Sequence, residues 1–162
     1  MSKIKLLILL SISIYFGGCA STNKSNYQFD VDYIGGGADG LVYSNYLSTY
    51  LNSLNIFNSN SNFKVNTSIK HNQRVYITNV NNTSDREMIS SIIDVKITDS
   101  TKKCIVLKYN DDVQQFYVIT SNINFMSNNK AIENIKRGNT EILTQRIAYY
   151  LSSITNLNCI NE

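Results

Sequence analysis

The sequence predicts an α+β domain: a two-layer sandwich in which two amphipathic helices pack on one face of a mainly antiparallel sheet of four to five strands. Three observations carry this. Several segments alternate apolar and polar side chains with a period of two, the pattern of a strand with one wet face. Two others repeat apolar residues at helical spacing, the pattern of a helix with one apolar side. The order is strand, helix, several strands, helix, and two such helices bury their apolar sides by covering one face of a one-sided sheet.

Phe29, Val31 and Tyr33 alternate with Gln28, Asp30 and Asp32 and make the first strand. Gly35-Gly36-Gly37-Ala38-Asp39-Gly40 is a turn, with Asp39 placed to cap the helix after it. From Leu41 the period changes: Tyr43, Leu47, Tyr50, Leu51 and Leu54 line one side of that helix, with Tyr46 beside them. Its other side, Ser44, Asn45, Ser48, Thr49, Asn52 and Ser53, is built of weak helix formers, so this helix persists only by packing.

Beyond a polar loop at Asn58 to Asn62, Phe63, Val65, Thr67 and Ile69 alternate with Lys64, Asn66, Ser68 and Lys70 in a second strand. Val75-Tyr76-Ile77 extends it or forms a short hairpin arm, and Asn79 to Ser84 reads as loop. Ile89, Ser91, Ile93, Val95 and Ile97 alternate with Ser90, Ile92, Asp94, Lys96 and Thr98 in a long strand that ends at the turn Asp99-Ser100-Thr101-Lys102. Ile105, Leu107 and Tyr109 begin the next strand. The polar run Asn110 to Asp112 predicts a kink, after which Phe116 to Ile119 resumes the strand or makes a fifth. The last element is a helix from Asn129 to Thr155, with Ile132, Ile135, Ile142, Leu143, Ile147, Tyr150, Leu151 and Ile154 at helical spacing. Gly138-Asn139 weakens its middle, glycine costing about 1 kcal/mol against alanine, and marks a place for a bend.

The first residues are of another kind. Lys3 and Lys5 precede an apolar run from Leu6 to Phe16, broken only by Ser11 and Ser13. That run falls short of the roughly 20 apolar residues a spanning helix needs, and it suits the core of an export signal. Phe16-Gly17-Gly18-Cys19 resembles a lipobox, and Cys19 is the only cysteine in the first hundred residues. The resemblance implies cleavage before Cys19 and a diacylglycerol thioether on its sulfur, with further acylation giving the two or three chains that firm anchoring requires. Residues 1–18 are then a signal peptide, 19–26 a lipidated tether and 27–162 a single domain. Ala20-Ser21 follows the cysteine instead of an aspartate, which favours the outer membrane, with the domain on its periplasmic side.

Without Lys3 and Lys5, the 15 basic residues fall to 13 against 12 acidic ones. Near-neutrality and export together argue against a nucleic-acid partner. Cys104 and Cys159 enter an oxidising compartment that permits a disulfide; two unrelated buried thiols fit the sequence equally well.

No catalytic constellation stands out. Gly35, Gly37 and Gly40 satisfy G-x-G-x-x-G, yet no acid occurs between Asp39 and Asp85, and the later strands read as a meander. A glycine-rich turn is the default, and no cofactor is implied. His71 is the sole histidine, reads as a solvated residue at a strand end, and cannot hold zinc alone. A Ser-His-Asp set has no G-x-S-x-G elbow to support it. Asp94, Asp111 and Asp112 read as solvated faces or turns. Lys96, Lys102, Lys103 and Lys108 flank a single turn, and clustered ammonium groups bind phosphates as point charges; a solvated hairpin is the plainer reading.

Arg86-Glu87 leading into the strand Ile89 to Thr98, the short turn, the strand Ile105 to Tyr109, and Tyr117-Val118-Ile119-Thr120-Ser121 entering a helix that ends Ile147-Ala148-Tyr149-Tyr150-Leu151 resemble the lipopolysaccharide-assembly lipoprotein LptE family. The helix from Ser44-Asn45-Tyr46-Leu47 to Leu54, followed by Phe63-Lys64-Val65, fits the same order. The family's proline near the start of the mature chain is absent here. The resemblance implies a protein without enzymatic activity, which plugs the outer-membrane barrel LptD, assists its assembly and delivers lipopolysaccharide. Under that resemblance, position and charge alone point to Lys96, Lys102, Lys103 and Lys108 as the residues that touch lipid A phosphates. The alternative is an accessory lipoprotein of an ABC-type lipid transporter.

Overall fold

The computed structural model describes residues 25–76, 86–118 and 125–160. Cys19 and the signal lie outside the described residues, as do the loop Asn79 to Ser84 and the strand-end expectations at Ile77 and Ile119. The elements, in chain order, are β1 (Phe29–Gly35), α1 (Gly37–Ser53), β2 (Phe63–Tyr76), β3 (Arg86–Asp99), β4 (Cys104–Val118) and α2 (Phe125–Ser153). The sheet order is β1-β2-β3-β4. β1 and β2 run parallel across α1, whereas β2-β3-β4 is an antiparallel meander. The fold is the expected α+β sandwich, with four strands and both helices on one face.

Between the layers, Tyr43, Leu47 and Leu51 of α1 and Leu143, Ile147 and Leu151 of α2 meet Val65, Ile69, Ile93, Val95 and Ile97 of the sheet, all at most 3% exposed. Burying each such side chain contributes about 1.5–3 kcal/mol, which is what holds α1 helical despite its Ser- and Asn-rich outer side. The Tyr43 hydroxyl donates to Thr67 Oγ1 at 3.2 Å, and Thr67 in turn donates to the Asp94 carbonyl at 2.9 Å. Burial pushes the Tyr43 phenol up to about 12. Tyr50 bridges the helices, donating to Glu141 at 3.2 Å.

Three details depart from the expected pattern. β1 carries a register shift between Val31 and Tyr33, which turns Tyr33 outward to 64% exposure and lets Ile34 pack on the core. β4 runs through Asn110-Asp111-Asp112 without a break, because the ladder to Asp94, Ile93 and Ile92 continues there. Arg146 of α2 meets Asp111 at 3.3 Å, so a polar residue on the helix side of β4 finds its partner in the upper layer. No separate fifth strand forms in the described part of this region. The last helix starts at Phe125 and is helical throughout, including Gly138-Asn139.

A Cβ built on Gly138 meets nothing within 4 Å. Gly138→Ala is therefore expected to raise stability by about 1 kcal/mol, the helix-propensity difference with no steric offset. Denaturant unfolding checks it; an unchanged or lower midpoint would mean that the helix needs glycine there.

Candidate functional site

Two places bring chemistry-bearing residues together. The first is the end of the sandwich where the described chain starts. Ser25 donates its N–H to the Ser152 carbonyl at 2.6 Å, so residues expected to be tether are already docked by Ser25. Tyr27 packs edge-on against Phe63 with ring centres 5.2 Å apart, and its hydroxyl accepts the Leu157 N–H at 3.3 Å. Phe63 is the ladder partner of Asp99, which is the partner of Cys104. Cys104 is bonded to Cys159 with Cα atoms 5.6 Å apart.

The β3–β4 turn belongs to this end. Asp99 is 5% exposed, and its Oδ1 accepts the N–H groups of Thr101 at 2.9 Å and Lys102 at 3.2 Å. Lys103 closes the turn at φ 54, in the left-handed region. Both lysines are exposed, and among the described residues neither ammonium forms an ion pair. Lys96 and Lys108 are ladder partners on the sheet face away from the helices, both exposed. Asp94, two residues from Lys96 on the same face, accepts from Asn110 at 2.6 Å. The four lysines thus gather at one end: two in the turn, two on the open face just beyond it.

The second place was not legible as a site. His71 is an interior residue of β2, and its side chain is only 2% exposed. This corrects the reading of a solvated histidine: His71 continues the core-facing series Val65, Thr67, Ile69, and that register was the signal to find it. Its Nδ1 lies 2.7 Å from the Ser91 hydroxyl, which also accepts from Asn139 Nδ2 at 2.9 Å. On the other side of the ring, Nε2 faces Asp39 Oδ2 at 4.0 Å. The Asn139 Oδ1 is buried and has no hydrogen-bond partner among the described residues. Above the ring lies a cleft of about 330 Å³ lined by Asp39, Val42, Glu133, Lys136, Arg137 and Thr140.

Ser91, His71 and Asp39 therefore stand in a row, but not as a nucleophilic set. Ser91 is fully buried and its oxygen is consumed by Asn139 and His71, leaving no approach for a substrate carbonyl. The glycine turn is likewise structural: Gly40 donates to the Gly36 carbonyl at 3.3 Å, and the turn closes on itself and on Ile69. One objection to a nucleotide site does weaken, because β1 and β2 are parallel around α1; the acid about 20 residues on is still missing.

Burial holds the His71 imidazole below its ordinary value of 6.5; Asp39 opposes this and Lys136 adds to it. The unfolded chain then binds more protons than the folded one once the pH drops below the ordinary value. Stability is complete above about pH 6.5 and falls as pH decreases toward the depressed folded value. Unfolding midpoints measured from about pH 7.5 to 5 should fall, with a flatter profile for His71→Gln. Parallel profiles would place the titration elsewhere.

No protein-family model matches the chain, and no curated protein matches it in sequence. Solved structures do. A minor lipoprotein from Acinetobacter baumannii superposes with a TM-score of 0.63 at 16% identity, over 85% of this chain and 99% of that one. Rare lipoprotein B from Shewanella oneidensis gives 0.62 at 9% identity, over 78% and 94%. An uncharacterized lipoprotein B from Nitrosomonas europaea gives 0.61 at 11% identity, over 85% and 90%. The chain has the fold of these bacterial lipoproteins. At such identities the agreement concerns the backbone fold alone.

Proposed function

We propose that this chain is a lipid-anchored outer-membrane protein of the LptE kind, which works by binding, catalyses no reaction, and seats in the LptD barrel to help it assemble and receive lipopolysaccharide. The observation that carries this reading is the uncovered sheet face. Both helices lie on the other side, and across the middle of the open face stand Lys64, Asn66, Ser68 and Lys70 of β2 beside Asp94 and Lys96 of β3 and Lys108 and Asn110 of β4. A barrel lumen is polar, and this polar stretch, about 20 Å along β2, suits insertion into one, while the far end of the same face carries Met88, Ile92 and Phe116. The shared lipoprotein fold and the lipobox at Cys19 support the same reading.

Lys96 and Lys108 are the pair placed to meet lipid A phosphates, with Lys102 and Lys103 adding to the positive field. Replacing Lys96 and Lys108 by alanine is expected to reduce lipopolysaccharide retention on the order of tenfold, each cation near an anionic surface counting severalfold. Purification of the tagged protein from outer membranes tests the reading as a whole. A large β-barrel recovered near one-to-one is the expected result. An inner-membrane transporter subunit in its place would make the chain a transporter accessory.

A further inference from the structure

We propose that the β3–β4 turn docks on anionic phospholipid headgroups of the leaflet that holds the N-terminal anchor, through Lys102 and Lys103. The inference rests on the reading of Cys19 as lipidated. Its geometry is set by which end of the sheet the chain enters. Only six positions separate Cys19 from Ser25, a reach of about 20 Å when extended. Ser25 leads through Tyr27 to Phe63, and Phe63 is paired with Asp99, the residue that caps the turn. The turn therefore lies about two strand spacings, or about 10 Å, from Phe29, where β1 begins four residues after Ser25. The far ends of β2 and β3 are about 45 Å away along 14-residue strands.

The chemistry of the turn fits phosphodiester headgroups. Its two ammonium groups are exposed and unpaired among the described residues. The acid in the same turn, Asp99, is buried and engaged with backbone N–H groups, so it does not stand between the lysines and a surface. Lys103 also occupies a left-handed position where glycine or asparagine costs less, so the turn holds a cation at a place that local geometry disfavours. The Cys104–Cys159 bond and the Ile160 N–H to Ile105 carbonyl contact of 2.8 Å fasten the strand that leaves the turn.

The test uses the full mature lipoprotein reconstituted into vesicles of phosphatidylcholine, alone or mixed with phosphatidylglycerol. Flotation reports the anchor, and amine labelling read by mass spectrometry reports each lysine. With phosphatidylglycerol present, Lys102 and Lys103 should label roughly fivefold more slowly, the weight of one cation at an anionic surface, and recover in high salt. Lys70 and Lys130 should label alike in both. Flotation with equal labelling of Lys102 and Lys103 overturns headgroup docking and leaves the anchor standing. Failure to float overturns the anchor, and docking with it. Protection by added lipopolysaccharide but not by phosphatidylglycerol assigns the pair to lipopolysaccharide and overturns the proposal.

Discussion

Replacing Cys104 and Cys159 together by serine is expected to lower the unfolding free energy by about 4 kcal/mol, the loop-closure value for a bond spanning 55 residues. That is a large share of the roughly 5–15 kcal/mol a domain of this kind possesses. The bond encloses β4 and α2, so reduction frees the unfolded chain over more than a third of the domain. It also frees the tail in the folded state. Ile154 and Leu157 are buried against the core, Leu157 donates to Tyr27, and Ile160 donates to Ile105. Two consequences can be separated. Global unfolding in denaturant, with and without reductant, should shift by the full amount. Amide exchange in the native state should rise first at Leu157 and Ile160, before β3 responds. A shift below about 1 kcal/mol would show that the tail is held by its apolar contacts, with the bond adding little.

The two helices and the two longest period-two strands were legible because one physical rule, burial of one side, wrote both the sequence pattern and the structure. β3 shows it most plainly: Ile89, Ile93 and Ile97 are all fully buried, as the alternation requires. Where the pattern misled, a tertiary partner outweighed it. Asn110 to Asp112 looked like a break, but a strand already paired to β3 has no reason to leave the ladder when Asn110 meets Asp94 and Asp111 meets Arg146. Tyr33 lost its predicted side because the shift in register moved it by one residue, and a one-residue slip reverses every side chain after it. The polar chain of Asn139, Ser91 and His71 is a third case. Each occupies a core-facing position on its own element, yet the sequence reads His71 as a solvated strand end and Asn139 as part of a weak point in α2; only the fold shows that the three are one feature. The basic end was half legible. Sequence grouped four lysines around one turn, but only strand direction shows that this turn lies beside the start of the domain.

Gly36→Ala should destabilise the domain by about 3 kcal/mol or more, and Gly37→Ala by about 1 kcal/mol. Both glycines have positive φ, but 60 at Gly37 lies in the left-handed region that L residues can enter and 117 at Gly36 lies beyond it. Surroundings widen the difference. A Cβ on Gly36 would lie 2.6 Å from the Ile69 carbonyl oxygen and 3.1 Å from Ile69 Cγ2, whereas one on Gly37 meets nothing within 4 Å. The obstacle at Gly36 is backbone of β2, itself fixed by the ladder to β3 in which Ile69 faces Ile93. Relief therefore requires the β1–α1 turn to lift from the sheet, and α1 brings Tyr43, Leu47 and Leu51 into the core directly behind it. Gly40 tightens the same knot, since a Cβ there would meet the Gly35 carbonyl oxygen at 2.7 Å. Paired denaturant curves for the two alanine variants decide the matter. A much larger loss for Gly36→Ala shows that the glycine-rich turn exists to let β1 fold tightly back through α1 onto β2. Equal losses would mean that the turn can lift freely, and that its glycines serve something other than this packing.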